Sequence, residues 1–495
     1  MNQDNGGIIG KLNTPTTTVA SGVWTLQDQF EAQTSSIWPL AFPQTTIANS
    51  CRFDRNSGAS LSRTESTTQS DGKKITISVW CKLGSQLSST RYFFGTSADG
   101  SYSNEIGFTS NDQLNFSCIN NAQNQVTTTR VFRDPSAWYH IVGVLDSTQG
   151  TSTNRIKLYV NGVEETSFAS SSYPSENAVT EYLKNGGTTE VGDKGSGGNN
   201  FDGYLTEINI IDGQALTPTS FGAFNPVTNI WEPRGYAGTY GNNGFRLDFA
   251  DASNLGNDAN GGTDLTENNL ASTDQSTDTC SNNFTTLNPL HFGIGSISNT
   301  ALSEGNLKFV STEGGSAYPY YCSTMAVSQG KWYTEFKYVS SDSGTAGIGN
   351  GIRDQYAGNN AYDYSYYFDG RLYNSGSGES TGYSAISNND ILGCALDLDN
   401  NKIYFHINGS YQASGDPANN TGGKSITAAA SNGTGVYHFV IGDSGANQPT
   451  IECNFGSPSF SISSGNADAN GFGNFEYAVP SGYYALNTSN LNTYG

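Results

Sequence analysis

The chain has 495 residues and a formal net charge of −21, although only 14% of its residues are charged. Because a protein that tracks a nucleic-acid backbone needs a basic face, this balance argues against that class. Hydrophobic residues make up 35% of the sequence and aromatic residues 12%, with 59 glycines. This composition is typical of an all-β protein with polar loops.

The cysteines, the N-terminus and the lengths of the apolar runs predict the cellular compartment in which the protein is made. The seven cysteines are widely spaced and form no CxxC pair, so we expect neither a disulfide framework nor a zinc site. The N-terminus lacks the charged and apolar regions of a signal peptide, and no apolar run approaches membrane-spanning length. The sequence therefore predicts a protein made in a cytoplasm, without membrane insertion.

Residues 1–46 form a distinct N-terminal segment. Residues 23–33 predict a short helix with Val23, Leu26 and Phe30 on one stripe. A helix this short needs a packing partner, which is either the following domain or another protein. The candidate anchoring residues are Trp24, Leu26, Phe30 and Trp38.

The order of residues in this segment resembles a segment of known virion proteins. Ile-Gly, Asn-Thr-Pro, Ala-Ser-Gly-Val-Trp-x-Leu, Gln-Phe and Trp-Pro follow one another, as they do near the N-terminus of virion proteins from tailed phages of marine bacteria. The resemblance implies that residues 1–46 anchor the chain to other virion proteins.

Residues 47–222 carry dense strand signals. In 155–162, apolar residues alternate with polar ones and Asn-Gly follows, the pattern of a half-buried strand ending in a tight hairpin turn. The segments 138–142, 157–162 and 201–208 resemble the laminin-G-like, concanavalin-A-like jelly roll. That family implies two stacked antiparallel sheets with glycan or protein binding at the loops.

Residues 223–300 are predicted to be a connector with one or two short strands. Most of it is rich in Asn, Asp, Gly, Ser and Thr and should be irregular. Asp251, Asp258 and Asp264 miss the spacing of an EF-hand, and we interpret them as turn formers.

Residues 301–495 repeat the strand and Asn-Gly pattern at 402–409. The resemblance here is to the SPRY domain, a β-sandwich that binds proteins through variable loops and is not generally an enzyme. The segments that carry it are 330–336, 347–349, 364–374, 390–399 and 402–409. The chain is thus predicted to be all-β, with two antiparallel β-sandwich jelly-roll domains in tandem behind a short N-terminal anchoring segment.

No catalytic residue is predicted. Glycoside cleavage needs two carboxylates that face each other across the sugar, and the face of Glu207 carries Asn209 and Ile211 instead. Asp397 and Asp399 alternate, but they lead into an Asn-Asn turn. We therefore interpret this pair as turn formers.

Tyrosine offers a flat apolar face and a hydroxyl, which suits sugars and protein epitopes. Ordinary strand packing is the alternative role for each tyrosine. The candidate ligand-binding residues are Tyr320, Tyr321, Tyr362, Tyr364, Tyr366, Asn199 and Asn200. The laminin-G resemblance also implies Ca²⁺ at the loop flanked by Asp193 and Asp202, with a plain loop as the alternative. No other cofactor is expected.

These resemblances imply a non-enzymatic virion protein, a tail or head fibre or adhesin. Its loops would contact a glycan or protein on the host surface. A capsid or tail decoration protein and a bacterial glycan-binding adhesin are the alternatives, and a polysaccharide hydrolase is the least favoured one. Phage adhesins are commonly trimers, which leaves a homotrimer open, although the sequence contains no heptad repeat.

Overall fold

The computed structural model describes Gln27 and residues 30–32, 45–97, 103–119, 124–194, 199–293, 300–312, 318–445 and 447–495. Within them almost all regular structure is β, and the strands form antiparallel sheets, which confirms the predicted fold class. The chain divides into two compact units. One comprises Met1–Thr46 with Pro218–Ala237, and the other comprises Ile47–Thr217 with Gly238–Gly495.

The first sandwich consists of two eight-stranded sheets in the larger unit. One sheet contains, in pairing order, β10 (Val163–Glu164), β9 (Ile156–Val160), β8 (Trp138–Asp146), β3 (Lys74–Leu83), β13 (Gly203–Asp212), β1 (Ser50–Phe53) and β18 (Gln275–Ser276), with β16 (Phe245–Leu247) beside β13. The other contains β11 (Phe168–Ser171), β7 (Asn124–Val131), β6 (Gln113–Ile119), β5 (Ser103–Phe108), β4 (Arg91–Ser97), β12 (Thr188–Val191), β2 (Ser60–Thr64) and β17 (Thr266–Asn268). Three strands that follow residue 223 therefore belong to these sheets.

The second sandwich has a seven-stranded and a nine-stranded sheet. The first contains β19 (Leu287–Phe292), β22 (Tyr320–Ser323), β32 (His438–Asp443), β24 (Gly344–Gly349), β25 (Tyr364–Tyr367), β26 (Arg371–Asn374) and β27 (Ser377–Glu379). The second contains β20 (Thr300–Ser303), β21 (Lys308–Ser311), β33 (Thr450–Asn454), β23 (Lys331–Ser340), β28 (Ile391–Asp397), β29 (Lys402–Ile407) and β30 (Ser410–Tyr411), with β31 (Lys424–Ser425) beside β29 and β34 (Tyr484–Ala485) parallel to β23.

Successive side chains along a strand point to opposite faces of the sheet, and this alternation determines which of them pack into each core. In β9, Ile156, Leu158 and Val160 are buried, while the two residues between them are half-buried. The first core also receives Phe94, Ile106 and Phe116 from the facing sheet. The same rule fills the second core, for example with Ile403 and Phe405 from β29 and Trp332 and Phe336 from β23.

Helical structure is sparse in the described residues. Four short 3₁₀ helices occur, at Ser152–Asn154, Pro218–Ser220, Ser272–Asp274 and Ala429–Ser431. An α-helix spans Thr488–Tyr494, and the Asn487 side chain caps it by accepting a hydrogen bond from the Asn490 N–H at 2.9 Å. In the described part of the chain, no helix combines the length and apolar character that a bilayer crossing requires.

The smaller unit contains a hairpin of β14 (Gly222–Phe224) and β15 (Trp231–Pro233). Thr45 is bonded to this hairpin, because the Thr45 N–H donates to the Pro233 carbonyl at 3.4 Å and the Thr45 hydroxyl accepts from the Gly235 N–H at 2.9 Å.

In the N-terminal segment, Gln27 and residues 30–32 are helical, within the predicted helix. Of the predicted anchoring residues, Phe30 is 59% exposed, whereas Trp24, Leu26 and Trp38 lie outside the described residues.

Two buried cations lie where the sandwiches meet. Arg52, in β1, donates to the Thr273 carbonyl at 2.7 Å and to the Pro458 carbonyl at 3.4 Å, and it pairs with Asp274 at 3.2 Å and Glu304 at 3.1 Å. Because Glu304 and Pro458 belong to the second sandwich, this one guanidinium joins both.

The second buried cation is Lys82, in β3. It donates to Asp278 Oδ2 and Asn283 Oδ1 at 2.7 Å each, and to the Phe284 carbonyl at 2.8 Å. These three acceptors match the three N–H donors of an ammonium, so Lys82 fixes the segment that enters the second sandwich.

Candidate functional site

The structure buries four of the five candidate tyrosines in the second sandwich, three in its core and Tyr320 on the outer face of a sheet. Tyr320 and Tyr321 lie in β22, and Tyr364 and Tyr366 lie in β25, all buried. The Tyr366 hydroxyl donates to the Ser384 carbonyl at 2.6 Å. Only Tyr362 is half-buried. These rings therefore stabilise the fold and do not form a shared open face.

A loop, residues 350–363, covers the outer face of the seven-stranded sheet, and we call it the strap. The Tyr320 hydroxyl donates to the Ile352 carbonyl at 3.2 Å and accepts from the Asp354 N–H at 2.8 Å. The Tyr367 hydroxyl donates to the Ala357 carbonyl at 2.8 Å. Tyrosines on the outer face thus hold the strap against the sheet.

Other tyrosines remain partly open around the strap. The rings of Tyr318 and Tyr356 meet edge to face at 5.6 Å, and Tyr373 stacks on Tyr367 at 4.0 Å with the Arg371 guanidinium 5.0 Å from its centre. We call Tyr318, Tyr356 and Tyr373 the tyrosine patch. None of these three tyrosines is among the candidate ligand-binding residues, because nothing in the local sequence distinguishes an open ring from a covered one.

The candidate residues of the first sandwich lie beside β4. The Tyr92 N–H donates to the Asn199 carbonyl at 3.0 Å, and Asn200 is buried. Asp202 Oδ2 accepts from the Gln86 N–H at 2.9 Å, and burial raises the pKa of this carboxyl to about 6. Asp193 Oδ1 accepts from its neighbour's N–H at 2.7 Å. The two aspartates are thus already bound by protein donors.

Among the described residues, no group of three or more His, Cys, Asp or Glu side chains could hold a metal ion. Residues 195–198, in the loop between Asp193 and Asp202, lie outside the described residues. Calcium at this loop therefore stays a prediction.

Asp258 and Asp264 form the turns expected of them, since Asp258 Oδ1 accepts from the Asn260 N–H and Asp264 Oδ1 accepts from the Asp258 N–H, both at 2.9 Å.

Two glutamates face outward on either side of Gly95. Glu190 in β12 and Glu105 in β5 both stand opposite this glycine of β4, and opposite residues share a face. Glu105 pairs with Lys194 at 3.3 Å. A Cβ at Gly95 would lie 2.8 Å from the Lys194 Cα. The chain itself therefore fills the space that a sugar would need between these carboxylates.

Sequence reasoning did not find this pair of glutamates, because only strand pairing brings them together. Glu207, which the sequence did single out, forms a bidentate pair with Arg246 at 2.6 and 3.2 Å. Asp397 pairs with Lys331 at 2.9 Å and accepts from the Asn400 N–H at 2.9 Å, as a turn former does.

Two histidines are buried in strands. His140 shares a hydrogen bond of 2.9 Å with Ser78 Oγ and stacks on Trp80, and burial lowers its pKa to about 3. His406 shares one of 2.7 Å with the Tyr333 hydroxyl, and burial lowers its pKa to about 4. Imidazoles this hard to protonate are poor general acids near neutral pH.

The described residues of the larger unit form at least two open grooves. One, of about 360 Å³, lies between the sandwiches and is lined by residues from 272–277 and 457–474. The other, of about 430 Å³, lies on the second sandwich, and we call it the Tyr484 groove. Its lining residues are Gln329, Gly330, Lys331, Asp399, Gly482, Tyr484 and Tyr494.

Comparison with known proteins agrees with the fold of the first sandwich. Residues 54–220 match the family model Laminin_G_3, which is described as the concanavalin A-like lectin/glucanases superfamily. This is the class of β-sandwich that can bind carbohydrate or protein, and it includes glycosidases. No curated protein has a sequence that matches the chain.

Solved structures show similarity at low identity. The SPRY domain of human HERC1 is 15% identical, with a TM-score of 0.26 over 34% of this chain and 96% of that chain. Stonustoxin is 16% identical, with a TM-score of 0.26 over 34% of this chain and 27% of that chain. The heptameric SAP-like pentraxin of Limulus polyphemus is 22% identical, with a TM-score of 0.24 over 36% of this chain and 76% of that chain.

Proposed function

We propose that the chain is a non-enzymatic virion protein of a tailed phage, a tail or head fibre or adhesin. The smaller unit docks on other virion proteins, and the two sandwiches present loops to a glycan or protein of the host surface. The tyrosine patch supports contact binding, since partly open tyrosines are frequent at recognition surfaces. The Lys194 backbone between Glu105 and Glu190 argues against glycoside cleavage there.

The observation that carries the proposal is the separate unit that includes the N-terminal segment. Some of its described apolar side chains are buried, such as Phe221 and Trp231, but others are open. Phe30 is 59% exposed, and on the hairpin Val227 is 66% and Ile230 is 60% exposed. Exposed apolar residues grouped on a small unit are typical of a protein–protein contact.

Incorporation into particles tests the anchoring role. Particles are assembled in cells that supply either the full-length chain or a variant lacking residues 1–46, and purified particles are analysed by mass spectrometry. We expect only the full-length chain to be incorporated. Equal incorporation of both chains would count against the proposal.

Point variants sharpen this test. Ile230→Asp places a charge on the hairpin and should reduce incorporation, whereas Val179→Asp, at a site 54% exposed on the larger unit, should not. Electron cryo-microscopy of the particle then distinguishes a fibre from a capsid or tail decoration protein. A gene located away from structural genes would instead favour a bacterial adhesin.

A further inference from the structure

The Tyr484 groove combines an aromatic wall with fixed polar groups. The rings of Tyr484 and Tyr494 lie 3.9 Å apart and within 11° of parallel. β34 holds Tyr484 opposite Trp332 of β23, and the C-terminal helix holds Tyr494. Both rings are half-buried and line the groove, and its volume of about 430 Å³ lies in the range of ligand sites.

Hydrogen-bond donors and acceptors surround this aromatic pair. Lys331 bonds to the fully buried Asp397 at 2.9 Å, which fixes the ammonium and leaves it further N–H donors. Asp399 accepts from the Gly330 N–H through Oδ1 at 3.0 Å, and its second oxygen has no protein donor among the described residues. The Gln329 side-chain amide donates to the main-chain oxygen of Gly495 at 2.8 Å, which leaves its side-chain oxygen Oε1 as an acceptor.

The charges of the groove restrict the kind of ligand. Asp397 neutralises Lys331, Asp399 is exposed, and the chain carries a net charge of −21, so an anion such as a sulfated glycan is repelled. A hydroxyl group both donates and accepts, and the apolar face of a pyranose ring suits a flat tyrosine.

We propose that the Tyr484 groove binds the pyranose ring of a neutral saccharide, with the ring against the tyrosine pair and its hydroxyls on Lys331 and Asp399. This inference rests on the proposed contact function and names the ligand class for it. The residues that line the groove belong neither to the strap nor to the N-terminal segment.

Saturation-transfer NMR and titration of the full-length chain test the proposal with four probes: maltoheptaose, mannohexaose, galactohexaose and dextran sulfate. At least one neutral oligosaccharide should bind, and dextran sulfate should not displace it. Tyr494→Ala and Asp399→Asn should each weaken that binding about tenfold, the effect of losing one good contact. The asparagine keeps an oxygen for the Gly330 N–H, so Asp399→Asn should leave the fold intact.

Matched substitutions elsewhere on the second sandwich serve as controls. Tyr383→Ala removes a half-buried ring that belongs neither to the groove nor to the tyrosine patch, and Asp342→Asn removes an exposed carboxylate; neither should change the affinity. The proposal is overturned if no neutral probe binds, if dextran sulfate binds more tightly, or if Tyr494→Ala and Asp399→Asn bind like the unmodified chain.

The particle assay separates this inference from the proposed function. Tyr494→Ala should be incorporated into particles like the unmodified chain, because incorporation depends on the smaller unit. If the chain were fully incorporated but bound no saccharide, only the proposal that the Tyr484 groove binds a saccharide would be refuted. If the variant lacking residues 1–46 were incorporated as well as the full-length chain, the anchoring role would be refuted, whatever ligand the groove binds.

Discussion

Burial shifts the ionisation of Asp363 and His140 in opposite directions. It raises the pKa of Asp363, the last residue of the strap, from 3.8 to about 7, and lowers that of His140 from 6.5 to about 3. Folded Asp363 keeps a proton that the unfolded chain releases, so its stabilisation is complete below about pH 4 and is lost as the pH rises through about 7. The stabilisation from His140 is complete above about pH 6.5 and is lost as the pH falls.

Asp363→Asn isolates the first of these effects. The variant has no carboxyl to ionise at this buried position, so its stability relative to the unmodified chain should rise between pH 5 and pH 8, by on the order of 2 kcal/mol. Thermal unfolding at several pH values measures this difference. Asp342→Asn, at an exposed turn, should show no such trend, and parallel curves for Asp363→Asn would contradict the assignment.

The tyrosines show what alternation along a strand can predict. Tyr321 and Tyr366 face the core, as buried strand residues do, whereas Tyr320 and Tyr367 point to the other face and are covered by the strap. A period of two separates the faces of a strand but does not reveal whether a distant loop covers one of them. The strands could therefore be predicted here, but the open rings could not.

The two Asn-Gly turns have the same conformation and the same hydrogen bonding in both sandwiches. All four residues have positive φ: Asn161 49°, Gly162 78°, Asn408 49° and Gly409 82°. This is the type I′ hairpin turn. Each Asn side chain also accepts a backbone N–H bond from the neighbouring strand, from His140 at 2.8 Å and from Ile391 at 2.9 Å. The turns were predictable because the two residues that require positive φ are adjacent in sequence.

Two substitutions at Asn161 separate conformation from hydrogen bonding. Asn161→Gly tolerates the positive φ but loses the bond to the His140 N–H, and it should cost about 1 kcal/mol of unfolding free energy. Asn161→Ala loses the bond and also strains the backbone, which adds about 1 kcal/mol. Denaturant unfolding measures both, and Asn408 provides an independent repeat. A glycine variant as stable as the unmodified chain would show that the side-chain bond contributes nothing.

The short strands after residue 223 mark the limit of prediction for single elements. β16 places Phe245 opposite Ile210, and β18 places Gln275 opposite Cys51, more than 200 positions earlier in the sequence. Strands of two or three residues carry too little pattern to indicate such partners. Glu105 and Glu190 were missed for another reason, because β5 and β12 bring them onto one face of the sheet only when both strands pair with β4.

The junction of the two sandwiches is built on buried cations and their polar partners. Arg52 and Lys82 are buried, and their partners come from the segment 272–284 and from the second sandwich. Charges removed from water are tolerated when every donor has an acceptor, and losing one member leaves the others uncompensated. Tyr204 adds a neutral contact, because its hydroxyl donates to the Gly305 carbonyl at 3.0 Å. We therefore expect the sandwiches to unfold together.

Arg52→Met tests this coupling. The variant keeps an apolar stem in place of that of arginine but leaves Glu304 and Asp274 without their guanidinium, and it should lower the free energy of unfolding by about 3 kcal/mol or more. Because the lost contacts join the sandwiches, differential scanning calorimetry should resolve two transitions where the unmodified chain shows one. Lys157→Met removes a pair whose side chains are 29% and 36% exposed, and should cost less than about 1 kcal/mol with one transition retained. A single transition for Arg52→Met, shifted no more than that of Lys157→Met, would mean that the guanidinium does not couple the sandwiches.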